Sequence, residues 1–173
     1  MIHKPALTAV AACAALAAGL ATFSASATTS SNHTSFTVSL TVQSDCAISA
    51  TNLAFGPTGS ALATTDVLAT SNLTVTCSMG TGYAVNLDPG STTGSTVLSR
   101  LLAGTGSNTH TVQYQLYSDS GRGTVWGDSS GGTPVTGTGT GNAETITVYG
   151  KVPAQTIPPA DAYSSTETAT ITF

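Results

Sequence analysis

Apolar residues alternate with hydroxyl-bearing ones in short runs along most of this chain, and no stretch keeps a helical period for a useful length. The first such run is Phe36-Thr37-Val38-Ser39-Leu40-Thr41-Val42, in which Phe36, Val38, Leu40 and Val42 share one face. Segments written this way bury one face each and leave the other in water, and they do so by stacking sheet on sheet. The expectation is an all-β domain, a sandwich.

From Cys46 onward the alternation and its glycine punctuation predict six strands, at 46–48, 73–77, 83–87, 112–117, 145–152 and 168–173. Their apolar faces supply the expected core or groove residues Val75, Tyr83, Val85, Tyr114, Leu116, Val148, Ile171 and Phe173. Gly80-Thr81-Gly82 reads as the turn of a hairpin joining 73–77 to 83–87. Leu53-Ala54-Phe55-Gly56-Pro57 is a short apolar piece ended by a turn signal, and 97–102 is apolar but too irregular to assign. Between Gly121 and Asn142 glycines crowd around only three large apolar residues, Val125, Trp126 and Val135. A long loop pinned by Trp126 is expected there. An immunoglobulin-like sandwich has about seven strands, so the run at 36–42 would supply the seventh. On its pattern alone that run is an ordinary first strand of its own domain.

The first 27 residues read as a leader. Lys4 provides the positive start, residues 6–20 an apolar stretch, and Ala25-Ser26-Ala27 a small-x-small cleavage site, so cleavage is expected after Ala27. The remainder carries Arg100, Arg122 and Lys151 against eight acids, a net charge of −5 (3 − 8). A chain so poor in bases has no electrostatic footprint for nucleic acid. Cys13 lies in the leader, which leaves Cys46 and Cys77. In an exported chain such a pair reads as a disulfide. A metal site is not expected, since His33 and His110 have no ligand spacing to either cysteine.

Gly127-Asp128-Ser129-Ser130-Gly131 satisfies the G-x-S-x-G pattern of a hydrolase nucleophile. That motif requires a strand entering and a helix leaving, and here the surroundings are glycine-rich with no helical segment. Gly137-Thr138-Gly139-Thr140-Gly141-Asn142 fails G-x-G-x-x-G at its last position. Neither a catalytic residue nor a cofactor is expected.

Taken in order, these pieces resemble the spore coat protein U domain, found in archaic (Csu-type) chaperone–usher pilins. The resemblance runs through the alternation before Cys46, Leu53-Ala54-Phe55-Gly56, Leu73-Thr74-Val75-Thr76-Cys77, Tyr83-Ala84-Val85-Asn86-Leu87 and Ser99-Arg100-Leu101-Leu102. It continues through Val112-Gln113-Tyr114-Gln115-Leu116-Tyr117-Ser118-Asp119, Trp126-Gly127, Val148-Tyr149-Gly150-Lys151-Val152-Pro153-Ala154 and the stretch 163–173. The glycine- and threonine-rich insert at 131–141 matches nothing in the pattern.

The resemblance implies an incomplete immunoglobulin-like sandwich of six strands plus an N-terminal donor strand. The corresponding divisions are a leader at 1–27, a donor extension at 28–45 and a pilin domain at 46–173. It further implies that Phe36, Val38, Leu40 and Val42 enter the groove of a neighbouring subunit. A periplasmic chaperone and an outer-membrane usher would handle the subunit on its way to a surface fimbrium serving adhesion and biofilm formation. In such pilins the last strand, which here ends at Phe173, borders the groove; otherwise Phe173 is a plain core residue. A secreted spore-coat or matrix protein with the same domain is the alternative, and a secreted hydrolase a distant one.

Overall fold

The structure, a computed structural model, describes residues 28–128 and 130–173. The leader expected at 1–27 and Ser129 of the G-x-S-x-G pattern lie outside the described residues. Residues 28–39, taken by themselves, have no regular secondary structure, and the next strand begins at Cys46.

Nine strands follow: β1 (Cys46–Ala50), β2 (Val67–Cys77), β3 (Gly82–Leu87), β4 (Arg100–Gly104), β5 (Thr111–Tyr117), β6 (Val135–Thr138), β7 (Ala143–Val152), β8 (Tyr163–Ser164) and β9 (Ala169–Thr172). They form a six-stranded sheet in the order β1-β2-β7-β5-β4-β8 and a three-stranded sheet in the order β6-β3-β9. Every pairing is antiparallel. This is an all-β, two-sheet, immunoglobulin-like sandwich. Its helical content among the described residues is one turn of 3-10 helix at Ser60–Ala63.

The core forms where the inward faces of the two sheets meet. Leu73, Val75 and Cys77 of β2, Tyr114 and Leu116 of β5, and Val148 and Val152 of β7 face Tyr83, Val85 and Leu87 of β3. Trp126 is fully buried between them, its indole N–H donating to the Val85 carbonyl at 2.9 Å.

Three expectations need correction. The segments 73–77 and 83–87 are not a hairpin, because β2 and β3 belong to opposite sheets. Alternation identifies each buried face but not its hydrogen-bonding partner. Here both faces are buried against each other across the core, so the Gly80 turn carries the chain from one sheet to the other. The stretch 121–142 is not a plain loop. It contains β6, which pairs with β3 from Gly82↔Thr138 to Val85↔Val135, and a bridge between Trp126 and Thr133. Gly137 is required at its place because the Tyr83 ring lies where a Cβ would sit. Finally, the strand count rises from six to nine, since 100–104, 135–138 and 163–164 are also paired.

Cys46 and Cys77 are opposite one another in the β1–β2 register and are joined as a disulfide. They are separated by 31 residues in sequence, and a bridge over a loop of that length stabilises a domain by about 3–4 kcal/mol. Reduction, or replacement of both cysteines by alanine, is therefore expected to lower the unfolding free energy by about that amount in urea titration.

Candidate functional site: an apolar cleft between two unpaired strand edges

Successive residues of a strand send their backbone N–H and C=O groups to opposite edges. Along residues 162–172 the even-numbered ones face their partners. The Ala162 carbonyl accepts from Thr105 N–H, Thr166 from Ser91 and Thr168 from Asp88. β8 and β9 thus belong to one extended run that pairs first with β4 and then with β3, tying the two sheets together. The odd-numbered residues Tyr163, Ser165, Glu167, Ala169 and Ile171 turn their backbone groups to the other edge. No backbone partner meets them there among the described residues.

A second free edge faces the first. In β1 the odd-numbered positions bond to β2, with Ser78 N–H donating to the Asp45 carbonyl and Thr51 N–H donating to that of Asn72. Cys46, Ile48 and Ala50 therefore point their backbone groups away from the sheet. Beyond β1, among the described residues, no hydrogen bond engages the backbone of 52–58. Leu53 and Phe55 instead pack onto Gly150 of β7, where a Cβ would come within 2.9 Å of both side chains.

Between these edges the interior opens in a cleft of about 1140 Å³. Its floor is apolar, made by Leu73, Leu102, Val112, Leu116, Val148 and Val152, while Leu87 and Ala169 close one end. The walls are residues 50–59 on one side and 157–167 on the other. β1 and β9 come close without bonding to each other, and the lining of the cleft runs from Ala50 and Ala169 to Gly59 and Ile157.

Two acids stand in the walls: Asp161, which is exposed and accepts from the backbone N–H groups of Gly106 and Ala162, and the half-buried Glu167. Glu167 lies against the cleft with its carboxylate accepting from Tyr114 Oη, from Ser165 Oγ at 3.3 Å and from Arg100 Nε at 3.2 Å. A Cβ on Gly90 would run into this carboxylate, and Gly90 has a φ of +86° that favours glycine. Burial pushes the Glu167 carboxyl above its ordinary value, against the pull of Tyr114 and Arg100. Burial and the bond to Glu167 likewise raise the Tyr114 phenol.

Arg100 is completely buried. Its guanidinium donates to Glu167, to the carbonyls of Asp88, Val97, Leu87 and Trp126, and to Gln115 Oε1 at 2.6 Å. Sequence reasoning gave this residue no role. A signal existed, because Arg100 stands between Val97-Leu98 and Leu101-Leu102 in a chain only 7% charged. A cation in such a setting is either solvated at a turn or buried with every donor satisfied.

The positions singled out from sequence fall into three places. Val75, Tyr83, Val85, Tyr114, Leu116, Trp126 and Val148 are in the core, with Tyr114, Leu116 and Val148 also lining the cleft. Ile171 is half-buried on β9, and Phe173 is 59% exposed at the end of that run, so it is no core residue. Phe36, Val38, Leu40 and Val42 are 85%, 84%, 88% and 78% exposed. Four large apolar side chains at alternate positions thus stand in water. At the G-x-S-x-G stretch, Asp128 and Gly131 close a tight reversal, and the Ser130 hydroxyl donates to Asp128 at 2.6 Å.

The domain is a two-sheet immunoglobulin-like one with an apolar cleft between two unpaired edges. The chain belongs to the Spore Coat Protein U domain family, which it matches over residues 32–170. Among solved structures it is similar to a chain in the CsuC–CsuE chaperone–tip adhesion subunit pre-assembly complex from archaic chaperone–usher Csu pili of Acinetobacter baumannii. That likeness has a TM-score of 0.55 and 24% identity, covering 77% of this chain and 40% of the other. The chain therefore spans less than half of that neighbour's length, and the likeness is one of fold. No curated protein matches the chain.

Proposed function

We propose that this protein is a structural subunit of a chaperone–usher pilus, with residues 28–45 as a donor arm and the domain from Cys46 as the acceptor. The observation that carries this reading is the open cleft flanked by two unpaired edges, in a chain whose arm presents Phe36, Val38, Leu40 and Val42 to solvent. An arm from a second copy, or from a related pilin, lies between β1 and the 163–172 run. It bonds to both edges through its backbone and seats its alternate side chains on the apolar floor. Burying those four side chains contributes about 6–12 kcal/mol before the cost of ordering the arm. That is comparable to the stability of a whole domain. The uncomplemented subunit is then marginal and the fibre slow to dissociate.

An exposed apolar cleft with free edges is an association hazard before assembly. The partners that follow are a periplasmic chaperone to cover it and an outer-membrane usher where exchange takes place, with the product a surface fimbrium used in adhesion and biofilm formation. No chemical step is needed for this role. The likeness to a chain of the CsuC–CsuE chaperone–tip adhesion subunit complex from archaic chaperone–usher Csu pili supports this reading at the level of fold.

The test is deletion of residues 28–43. The shortened subunit is expected to be retained by its chaperone yet to form no polymer, since it can accept an arm but not give one. Polymers of normal length from this variant would overturn the reading. A coat protein that uses the same strand within its own domain would instead lose monomer stability on the deletion.

A further inference from the structure

The cleft is apolar along its floor, Glu167 is the half-buried acid of its walls while Asp161 is exposed, and the arm has a polar residue spaced to meet Glu167. We propose that Glu167 is a specificity-determining residue of the cleft, fixing the register of the incoming arm by accepting a hydrogen bond from the Thr34 hydroxyl of the donor copy. This rests on the strand-accepting reading above and deepens it.

Three observations carry the assignment. Glu167 Oε1 is occupied by Tyr114 and Ser165, whereas Oε2 receives only Arg100 Nε among the described residues, so one acceptor position remains open toward the cleft. Its side chain keeps 19% exposure, which an inserted strand would remove. An apolar residue placed over it would strip its remaining water and return no bond.

The second observation is the phase of the arm. In an extended strand the residues sharing the face of Phe36, Val38, Leu40 and Val42 are Thr34 before them and Ser44 after them. Ser44 is not free to enter a neighbour. Its own domain holds the chain at Asp45, whose N–H donates to Ser78 Oγ at 3.2 Å and whose carbonyl accepts from Ser78 N–H at 2.9 Å. Cys46 is bonded covalently to Cys77 immediately afterwards. Thr34 is then the in-phase hydroxyl adjoining the apolar four.

The third observation is the length of wall that lies beyond Glu167. Glu167 stands two residues from Ala169, at the end where β1 and β9 approach, and the wall runs from there back to Ile157. With Thr34 over Glu167, the four apolar side chains lie along the open, apolar length of the cleft. The arm's root, which must return to its own domain, emerges at the Ile157 end.

The experiment uses the chain from residue 28 onward, at a dilution where light scattering finds it monomeric, and a fluorescent peptide of residues 28–45 followed by anisotropy. Thr34→Val in the peptide keeps the shape and is expected to weaken binding about tenfold, while Thr34→Ser retains affinity within about twofold. Against chains carrying Glu167→Ala, the valine penalty should shrink to less than about twofold, and against Glu167→Gln to an intermediate value. Glu167→Gln preserves an acceptor for Arg100, so it remains informative where the alanine variant fails to fold. The same tenfold valine penalty against Glu167→Gln and the unaltered chain, or none against either, overturns the register assignment but leaves strand acceptance standing. No binding of the unaltered peptide overturns both.

Discussion

Arg100→Met is expected to destabilise the domain by about 3–5 kcal/mol, the largest loss anticipated for a single polar substitution in this chain. The guanidinium is fully buried and serves as donor to groups from five parts of the fold: the β3 end at Leu87 and Asp88, the turn before β4 at Val97, Gln115 of β5, Trp126, and Glu167 of the last run. Removing it leaves several buried carbonyls without a donor and a carboxylate without its countercharge. Arg100→Lys is expected to recover little, because an ammonium has three donors at one point where the guanidinium has five in a planar fork. Arg100→Met combined with Glu167→Leu should be less damaging than Arg100→Met alone, since the second change removes the stranded charge. Urea titrations of the three variants against the unaltered chain measure each loss, and a cost below 1 kcal/mol for Arg100→Met would contradict the burial argument.

Trp126→Ala should cost about 3–5 kcal/mol through the cavity it opens. The ring is wholly inside, bonded through its N–H to Val85 of the small sheet. Its backbone N–H donates to the Leu116 carbonyl of the large sheet at 3.0 Å. One residue therefore joins the two layers by main chain and side chain together. Trp126→Phe keeps most of the volume and loses the bond to Val85, so a smaller loss of about 1–2 kcal/mol is expected. Because Trp126 is the single tryptophan in the sequence, the unaltered protein reports its own unfolding by a red shift in emission. The Ala and Phe variants are followed by far-ultraviolet circular dichroism.

Reading the sequence recovered the class of fold because alternation is a local property. Val75 and Cys77, or Tyr83, Val85 and Leu87, announce a buried face whatever lies opposite. Partner choice is not local, which is why 73–77 and 83–87 read as a hairpin although they line opposite layers. Short strands escaped for the same reason. Tyr163–Ser164 is only two residues long, and Val135–Thr138 is interrupted by the glycine that the Tyr83 ring requires. The run 36–42 alternates as a strand does, yet it has no regular secondary structure, and its 78–88% exposure at Phe36, Val38, Leu40 and Val42 distinguishes it from a strand packed at home. The cleft's polar end was not legible, because Arg100, Tyr114 and Glu167 are brought together from positions up to 67 residues apart.

The run from 162 to 172 also dictates an order of events. Both sheets take hydrogen bonds from it, β4 at Tyr163 and Ser164 and β3 from Ala169 to Thr172. Until these residues are present, β3 lacks one neighbour and the two layers have no shared strand to hold them in register. The pair Cys46 and Cys77 can close earlier, since β1 and β2 need nothing from beyond residue 77 to meet. Folding is thus expected to begin from a covalently fixed β1–β2 ribbon and finish only when the last run docks. A chain emerging in N-to-C order stays open, and in need of protection, until nearly all of it has been delivered.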